Sequence, residues 1–355
     1  MTFADVVVIG GGQAGLATAQ TAVARGWRPV VLDASDRAGG SWPRYNDSLT
    51  LFSPARFSSL PGMPFPGDPA RYPVRDEVVA YLDAYARRLD ADLRWNERVD
   101  RVAEEDGGFT VSTTGGTVVR ARMVVAASGG FSRPNRPSLP GLDTFTGTVL
   151  HSAEYRQPAQ FAGGRVVVVG GGNSAVQIAV ELAQVATVSI STRDRLRWQP
   201  QRILGKDFHW WLAHTGLDTS ALGPRLVKGG VPVIDDGRYR AAVAAGKPDH
   251  RPLFARLDGD SIVWADGTRE RVDAIILATG FRPDLPFLDR TAAFDDAGAP
   301  LHDGGVSITV PGLGFVGLER QRSFASATLR GVGRDAVHVL NALARHGSST
   351  LRVGR

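Results

Sequence analysis

The chain predicts an α/β protein built from two parallel-sheet domains, and three observations predict it. A glycine-rich turn between a strand and a helix occurs twice, opening at Gly10 and again at Gly170. The segments around the turn repeat with it. A matched pair of apolar runs, each stopping at a small residue plus glycine, encloses the second copy.

The first copy reads Val6-Val7-Val8-Ile9-Gly10-Gly11-Gly12-Gln13-Ala14-Gly15 and the second Val166-Val167-Val168-Val169-Gly170-Gly171-Gly172-Asn173-Ser174-Ala175. A small-residue pattern over Leu16–Arg25 predicts a helix and Arg28–Leu32 a second strand; Val176–Val185 and Thr187–Ser191 repeat the arrangement. Each copy is therefore a βαβ unit. The runs Met123–Gly129 and Ala274–Gly280 are too short for helices and read as strand ends. Residues 130–278 then form one domain inserted into another made of 1–129 and 279–355, with the Pro-rich stretch Arg133–Pro140 as a hinge. Val99–Val119, with Gly107-Gly108 and Gly115-Gly116, and Ser261–Val272, with Asp266-Gly267, predict short antiparallel strands.

In Gly10-x-Gly12-x-x-Gly15 the first glycine makes the tight turn, the second lets the backbone approach a pyrophosphate and the third lets helix and strand pack closely. The anion then rests on free N–H groups at the helix start, at Gln13 and Ala14 in one copy and at Asn173, Ser174 and Ala175 behind Gly170 and Gly172 in the other. Both units thus predict dinucleotide-binding, Rossmann-like domains. Asp33 and Arg193 stand the same distance beyond the first glycine of their turns. A carboxylate there accepts from a ribose 2′-OH and repels a 2′-phosphate, which suits FAD or NAD. A guanidinium with Thr192 beside it welcomes that phosphate, which suits NADPH. A solvated surface arginine is the plainer alternative for Arg193, since Arg195 and Arg197 lie close by.

Bulk properties narrow the field. With 355 residues, 43% hydrophobic and 22% charged, the chain is long enough for two domains with a sizeable core. It has no Cys, which removes thiolate metal sites and any CxxC redox pair; no metal site is expected. The net charge of +5 comes from scattered residues, nearly all arginine because Lys206, Lys228 and Lys247 are the sole lysines, so no nucleic-acid partner is expected. Met1–Phe3 carries no basic leader and Val6–Ile9 stops at Gly10, so a membrane span is not expected and the cytoplasm is the default location. A homodimer is compatible with this composition.

Between the two units stands Phe145-Thr146-Gly147-Thr148-Val149-Leu150-His151-Ser152-Ala153-Glu154-Tyr155, or F-x-G-x-x-x-H-x-x-x-Y. With both glycine turns, this resembles the flavin-containing monooxygenases, including plant YUCCA-type enzymes and small bacterial members. The likeness covers nearly the whole chain. Gly39-Gly40-Ser41-Trp42 looks like the family's GGxW segment, Ala278-Thr279-Gly280-Phe281 like its second ATG motif, and Gly331-Val332-Gly333-Arg334-Asp335 like its C-terminal flavin-facing helix. The resemblance implies that Gly40, Ser41, Trp42, Thr279 and Gly280 contact cofactor, and that FAD takes the first turn and NADPH the second. It implies that NADPH reduces FAD, O₂ forms a C4a-(hydro)peroxyflavin, and a small-molecule sulfide or amine takes one oxygen while water is kept out.

Two candidate catalytic residues follow from the resemblance. Ser53, in Leu49–Pro54, stands in for an Asn that many members carry near the flavin. His151 couples NADPH binding to domain geometry, with a buried structural histidine as the alternative. Tyr155 followed by Arg156 departs from the Baeyer–Villiger pattern, which ends in Trp before Pro or Asp, and disfavours ester formation. The chain is also short for the family, which implies missing lid insertions and a more open pocket. The aromatic stretch Arg197–Gly230, with Trp198, Phe208, His209, Trp210 and Trp211, reads as an amphipathic helix burying Trp and Leu, or else as a substrate-side or subunit contact. Competing functions are an NADPH oxidase or flavin reductase without oxygenation, and a regulatory protein that binds both dinucleotides without turnover. A disulfide reductase lacks its thiols.

Overall fold

Valine-rich runs buried on both sides can only be central parallel strands, and the computed structural model places both of them so. It describes residues 2–105, 107–218 and 232–350, the last five of these by backbone alone. The strand Thr2–Ile9 lies between Pro29–Leu32 and Val118–Ala126, parallel to both. Val6 and Val8 face one core cluster, Val7 and Ile9 the other. Asp92–Arg94 extends this sheet beyond Pro29–Leu32, and Leu313–Phe315 adds in parallel beyond Val118–Ala126. Val99–Glu105 and Gly108–Thr113 form an antiparallel ribbon attached to Val118–Ala126. The first strand starts before its apolar run because Thr2–Ala4 pair with Val119–Ala121.

The second sheet is parallel throughout. Arg165–Val169 lies between Thr187–Thr192 and Ala274–Leu277, with Asp249–Pro252 and Thr148–His151 as the two edges. Val166 and Val168 again face one cluster, Val167 and Val169 the other. A small antiparallel sheet, Arg256–Asp258, Ser261–Val263 and Arg269–Arg271, covers part of this unit.

Both turn helices start earlier than their apolar patterns suggest, at Gln13 and Asn173, with Gly12 and Gly172 as N-caps. Side-chain periodicity marks where packing begins, whereas the helical N–H groups begin at the turn itself. Arg133–Pro140 is no loose linker. Arg133–Pro134 pairs antiparallel with Phe281–Arg282, and Asn135 is bonded to Thr279 and Gly280. The two chain crossings between the sheets are thus stitched together.

Candidate active site

Both glycine turns open at the C-terminal ends of their sheets onto one cavity of about 840 Å³, the place where open parallel sheets bind ligands. At the first turn Gly10 holds φ +114°, and a Cβ there would meet the Ala127 carbonyl oxygen at 2.7 Å. A Cβ on Gly15 would lie 1.7 Å from the Gly10 oxygen, so helix and strand touch backbone to backbone. Gly12 and Gly40 face each other: a Cβ on Gly12 would fall 3.4 Å from the Gly40 Cα. Those two glycines form a cradle that a side chain would fill, with the helix N-terminus at its base. Trp42 Nε1 donates to Gln13 Oε1 at 3.0 Å and Gln13 Nε2 to the Ala327 oxygen at 2.6 Å, which fixes three separate segments around the cradle. Ser41 Oγ lies 3.1 Å from the Tyr45 hydroxyl. Asp33 is buried at the cavity wall; its carboxylate accepts from Gly11 N–H and, at 2.7 Å, from Ser35 N–H.

The second turn repeats the geometry with one change. Gly170 holds φ +141° against the Ala278 oxygen, and a Cβ on Gly172 would meet nothing within 4 Å. Ala175 takes the third position and is buried there, its methyl accepted by the packing. Asn173 and Ser174 line the cavity, and Asn173 Oδ1 accepts from Ile234 N–H at 2.9 Å. Arg193 and Arg195 are exposed on the cavity rim. Thr192 behaves differently from its expected role. Its hydroxyl donates to the Asp194 carbonyl oxygen at 2.6 Å, so its hydrogen is spent inside the loop.

The remaining segments close the site. Gly147 is required because a Cβ would strike the Phe145 ring at 2.5 Å and the Asp273 oxygen at 2.7 Å. His151 is fully buried, with Nε2 3.0 Å from the Gly280 oxygen and Nδ1 accepting from Ala153 N–H at 3.1 Å. Both ring nitrogens are occupied and burial lowers its pKa, so the ring holds the Thr279-Gly280 crossing in place and has no nitrogen left to carry a proton for chemistry. Arg156 donates to Arg44 O and to Tyr45 O, tying the same segment to the loop after Trp42. Ser53 lines the cavity, but its Oγ lies 2.9 Å from Ser58 Oγ, whose own hydrogen goes to the Pro54 and Ser53 carbonyls. Ser53 Oγ is thus paired with a hydroxyl outside the cavity lining.

Residues 7–211 match the family model described as pyridine nucleotide-disulphide oxidoreductase. An uncharacterised CzcO-like oxidoreductase of Geobacillus kaustophilus is 36% identical over 96% of this chain and 99% of its own. Rice indole-3-pyruvate monooxygenase YUCCA1 is 33% identical over 79% of this chain and 77% of its own. The solved flavin-containing monooxygenase of Stenotrophomonas maltophilia superposes with a TM-score of 0.86 at 34% identity, covering 98% of this chain and 99% of that one. The chain belongs to the flavin-containing monooxygenases. As a member of that family it is an FAD- and NADPH-dependent monooxygenase, and the two-domain expectation for the fold holds.

In this flavin-containing monooxygenase the aromatic stretch does something its pattern did not announce. Residues 219–230 of it lie outside the described residues. In the helix Phe208–Thr215 the buried side chain is His209, while Trp210 and Trp211 are half-exposed. The expected Trp and Leu core is therefore replaced by a polar knot. Asp207 accepts from Tyr72 Oη at 2.6 Å, Gln201 Nε2 at 2.7 Å, His209 N–H at 2.8 Å and lies 2.9 Å from His209 Nδ1. Gln201 also donates to the Phe52 carbonyl oxygen at 3.0 Å, and the His209 ring stacks on Phe52, which lines the cavity beside Ser53. Burial pushes the Asp207 pKa up, but the four donors outweigh it and the carboxyl sits below its ordinary range. Arg330, also on the wall, forms a bidentate pair with buried Asp218 at 2.7 and 2.8 Å. Replacing Asp207 with Ala is expected to cost about 3 kcal/mol of stability, because it strands several buried donors. Urea denaturation against Asp207→Asn, which keeps one acceptor oxygen, checks this.

Sequence reasoning passed over Asn46, Phe131, Gln177, Glu319 and Arg330, all on the cavity wall. At the C-terminal motif the cavity is reached by Ala327–Arg330; Gly331 and Gly333 instead pack against Ala325 and Pro61. Among the described residues no helix is long and apolar enough to cross a membrane.

Proposed function

We propose that this enzyme transfers one atom of O₂ to a sulfide or amine in a small molecule, with FAD held at the first turn and NADPH at the second. The observation that carries the reading is one cavity with unlike charges at its two turns, buried Asp33 at one and exposed Arg193 at the other. In this reading residues 130–278 form the NADPH domain, inserted into an FAD domain made of 1–129 and 279–355. Bound FAD and NADPH supply the redox chemistry, a hydride passing from nicotinamide to flavin and electrons onward to O₂.

The chain's own residues bind, orient and exclude water. Gly12 and Gly40 admit the FAD pyrophosphate to the N–H groups of Gln13 and Ala14, and Asp33 accepts from the adenosine ribose. Gly170 and Gly172 admit the NADPH pyrophosphate to Asn173, Ser174 and Ala175, and Arg193 meets the 2′-phosphate. Leu49, Leu51, Phe52, Phe131 and Leu139 give the cavity an apolar wall, which suits an apolar soft nucleophile and keeps water from the reduced flavin. NADPH, a proton, O₂ and the sulfide or amine yield NADP⁺, water and the oxygenated product. The reading places the enzyme in the cytoplasm, where NADPH is supplied.

One observation favours the oxidase as a second reading: the Ser53 hydroxyl is engaged by buried Ser58, which lies outside the cavity lining. Turnover in oxygen-18 gas with an alkyl aryl sulfide separates the two. Labelled sulfoxide in proportion to NADPH consumed supports oxygenation; hydrogen peroxide without labelled product supports the oxidase.

A further inference from the structure

We propose that His250 is a positioning residue that sets the loop receiving the NADPH 2′-phosphate and so contributes to the preference for NADPH over NADH. The inference rests on the reading above that Arg193 meets that phosphate. Asp249–Pro252 is the edge strand beside Thr187–Thr192, and His250 stands opposite Ile190 in the register. From there the ring reaches along the strand to Thr192, two residues further on the same face. Its Nε2 lies 2.6 Å from Thr192 Oγ1.

The proton count fixes the arrangement. A threonine hydroxyl has one hydrogen, and that of Thr192 goes to the Asp194 carbonyl oxygen at 2.6 Å. Toward His250 the same oxygen therefore accepts, and the ring is the Nε2–H tautomer. The Thr192 to Asp194 bond closes a tight turn over Arg193 and fixes the direction in which that side chain leaves the backbone. His250 holds the hydroxyl in the rotamer that makes this bond. Leu253 N–H donates to Thr192 O at 2.7 Å and seals the other side of the loop. His250 keeps an exposed surface, and the partial desolvation of its ring lowers its pKa, with Asp249 opposing, in keeping with the neutral tautomer that the Thr192 geometry requires. Thr192, Arg193, Asp194 and Arg195 line the cavity and His250 does not; its link to them is the Thr192 hydroxyl, so it acts through Thr192 on a preformed phosphate site.

The test is steady-state kinetics of the holoenzyme with both coenzymes. His250→Leu removes the donor, and the ratio of kcat/KM for NADPH to that for NADH is expected to fall by about five- to tenfold, the scale of one hydrogen bond. His250→Gln, which places an amide donor within similar reach, recovers most of the ratio. Thr192→Val lowers the ratio by itself, and adding His250→Leu to it lowers the ratio no further, because both act through one oxygen; Thr192→Val also carries the test if His250→Leu does not fold. An unchanged ratio in His250→Leu, or equal losses for both coenzymes, overturns the proposal. Arg193→Gln separates the two levels. If it lowers the ratio while His250→Leu does not, the phosphate site stands and the role of His250 fails; if it leaves the ratio unchanged, the reading of the site fails with it.

Discussion

Gly12→Asp is expected to yield a folded protein that purifies without flavin. Gly172→Asp should keep its flavin but no longer accept electrons from NADPH. Gly12 holds φ −80° and Gly172 φ −92° in extended backbone, conformations any residue adopts, so neither change strains the chain. A Cβ at Gly12 enters the cradle opposite Gly40, and at Gly172 it enters open cavity. The aspartate then puts a fixed negative charge where a pyrophosphate must sit and takes the helix N–H groups for itself as an N-cap. Loss of binding by about a thousandfold or more is the scale of removing a charge-assisted anion site and adding repulsion. Flavin absorbance after purification reads the first variant and anaerobic titration with NADPH the second, with circular dichroism to confirm folding. Flavin retained in Gly12→Asp and lost in Gly172→Asp would exchange the two assignments.

Arg193→Glu is expected to raise the KM for NADPH by about a hundredfold while moving that for NADH by a few-fold. The guanidinium is exposed at the rim, so its contribution is that of a charged hydrogen-bonding partner in contact with solvent, and reversal adds repulsion against a dianion. Coenzyme kinetics at fixed ionic strength measure it, because exposed charges are screened by salt. A preference for NADPH that survives the change would remove Arg193 from the site.

What was legible in the sequence was legible because backbone geometry left few residue choices. Gly10, Gly15 and Gly170 sit where a Cβ collides with a carbonyl oxygen, and the alternation of Val6 to Ile9 between two cores needs an unbroken apolar run. Asp33 and Arg193 were legible as a contrast between equivalent positions. Other features depend on contacts between residues far apart in the chain, which no local pattern encodes. Asp207 meets Tyr72, and Asn135 meets Thr279, which turns a presumed hinge into a stitched ribbon. Ser53 lines the cavity and His151 adjoins Ser152, which lines it too, but the hydrogen-bond partners Ser58, Ala153 and Gly280, which no local pattern encodes, decide what the two side chains do. The aromatic stretch misled because its buried member is the one that forms a polar knot.

The transfer of oxygen to a substrate is tested most directly by a single turnover. The protein is reduced anaerobically with one equivalent of NADPH and then mixed with O₂, and its absorbance spectrum is followed with and without an added sulfide. A monooxygenase of the kind proposed passes through a spectrum that is neither reduced nor oxidised flavin, decaying faster as sulfide is raised and leaving sulfoxide in place of hydrogen peroxide. Direct return to oxidised flavin, at a rate indifferent to sulfide and with stoichiometric hydrogen peroxide, would contradict it.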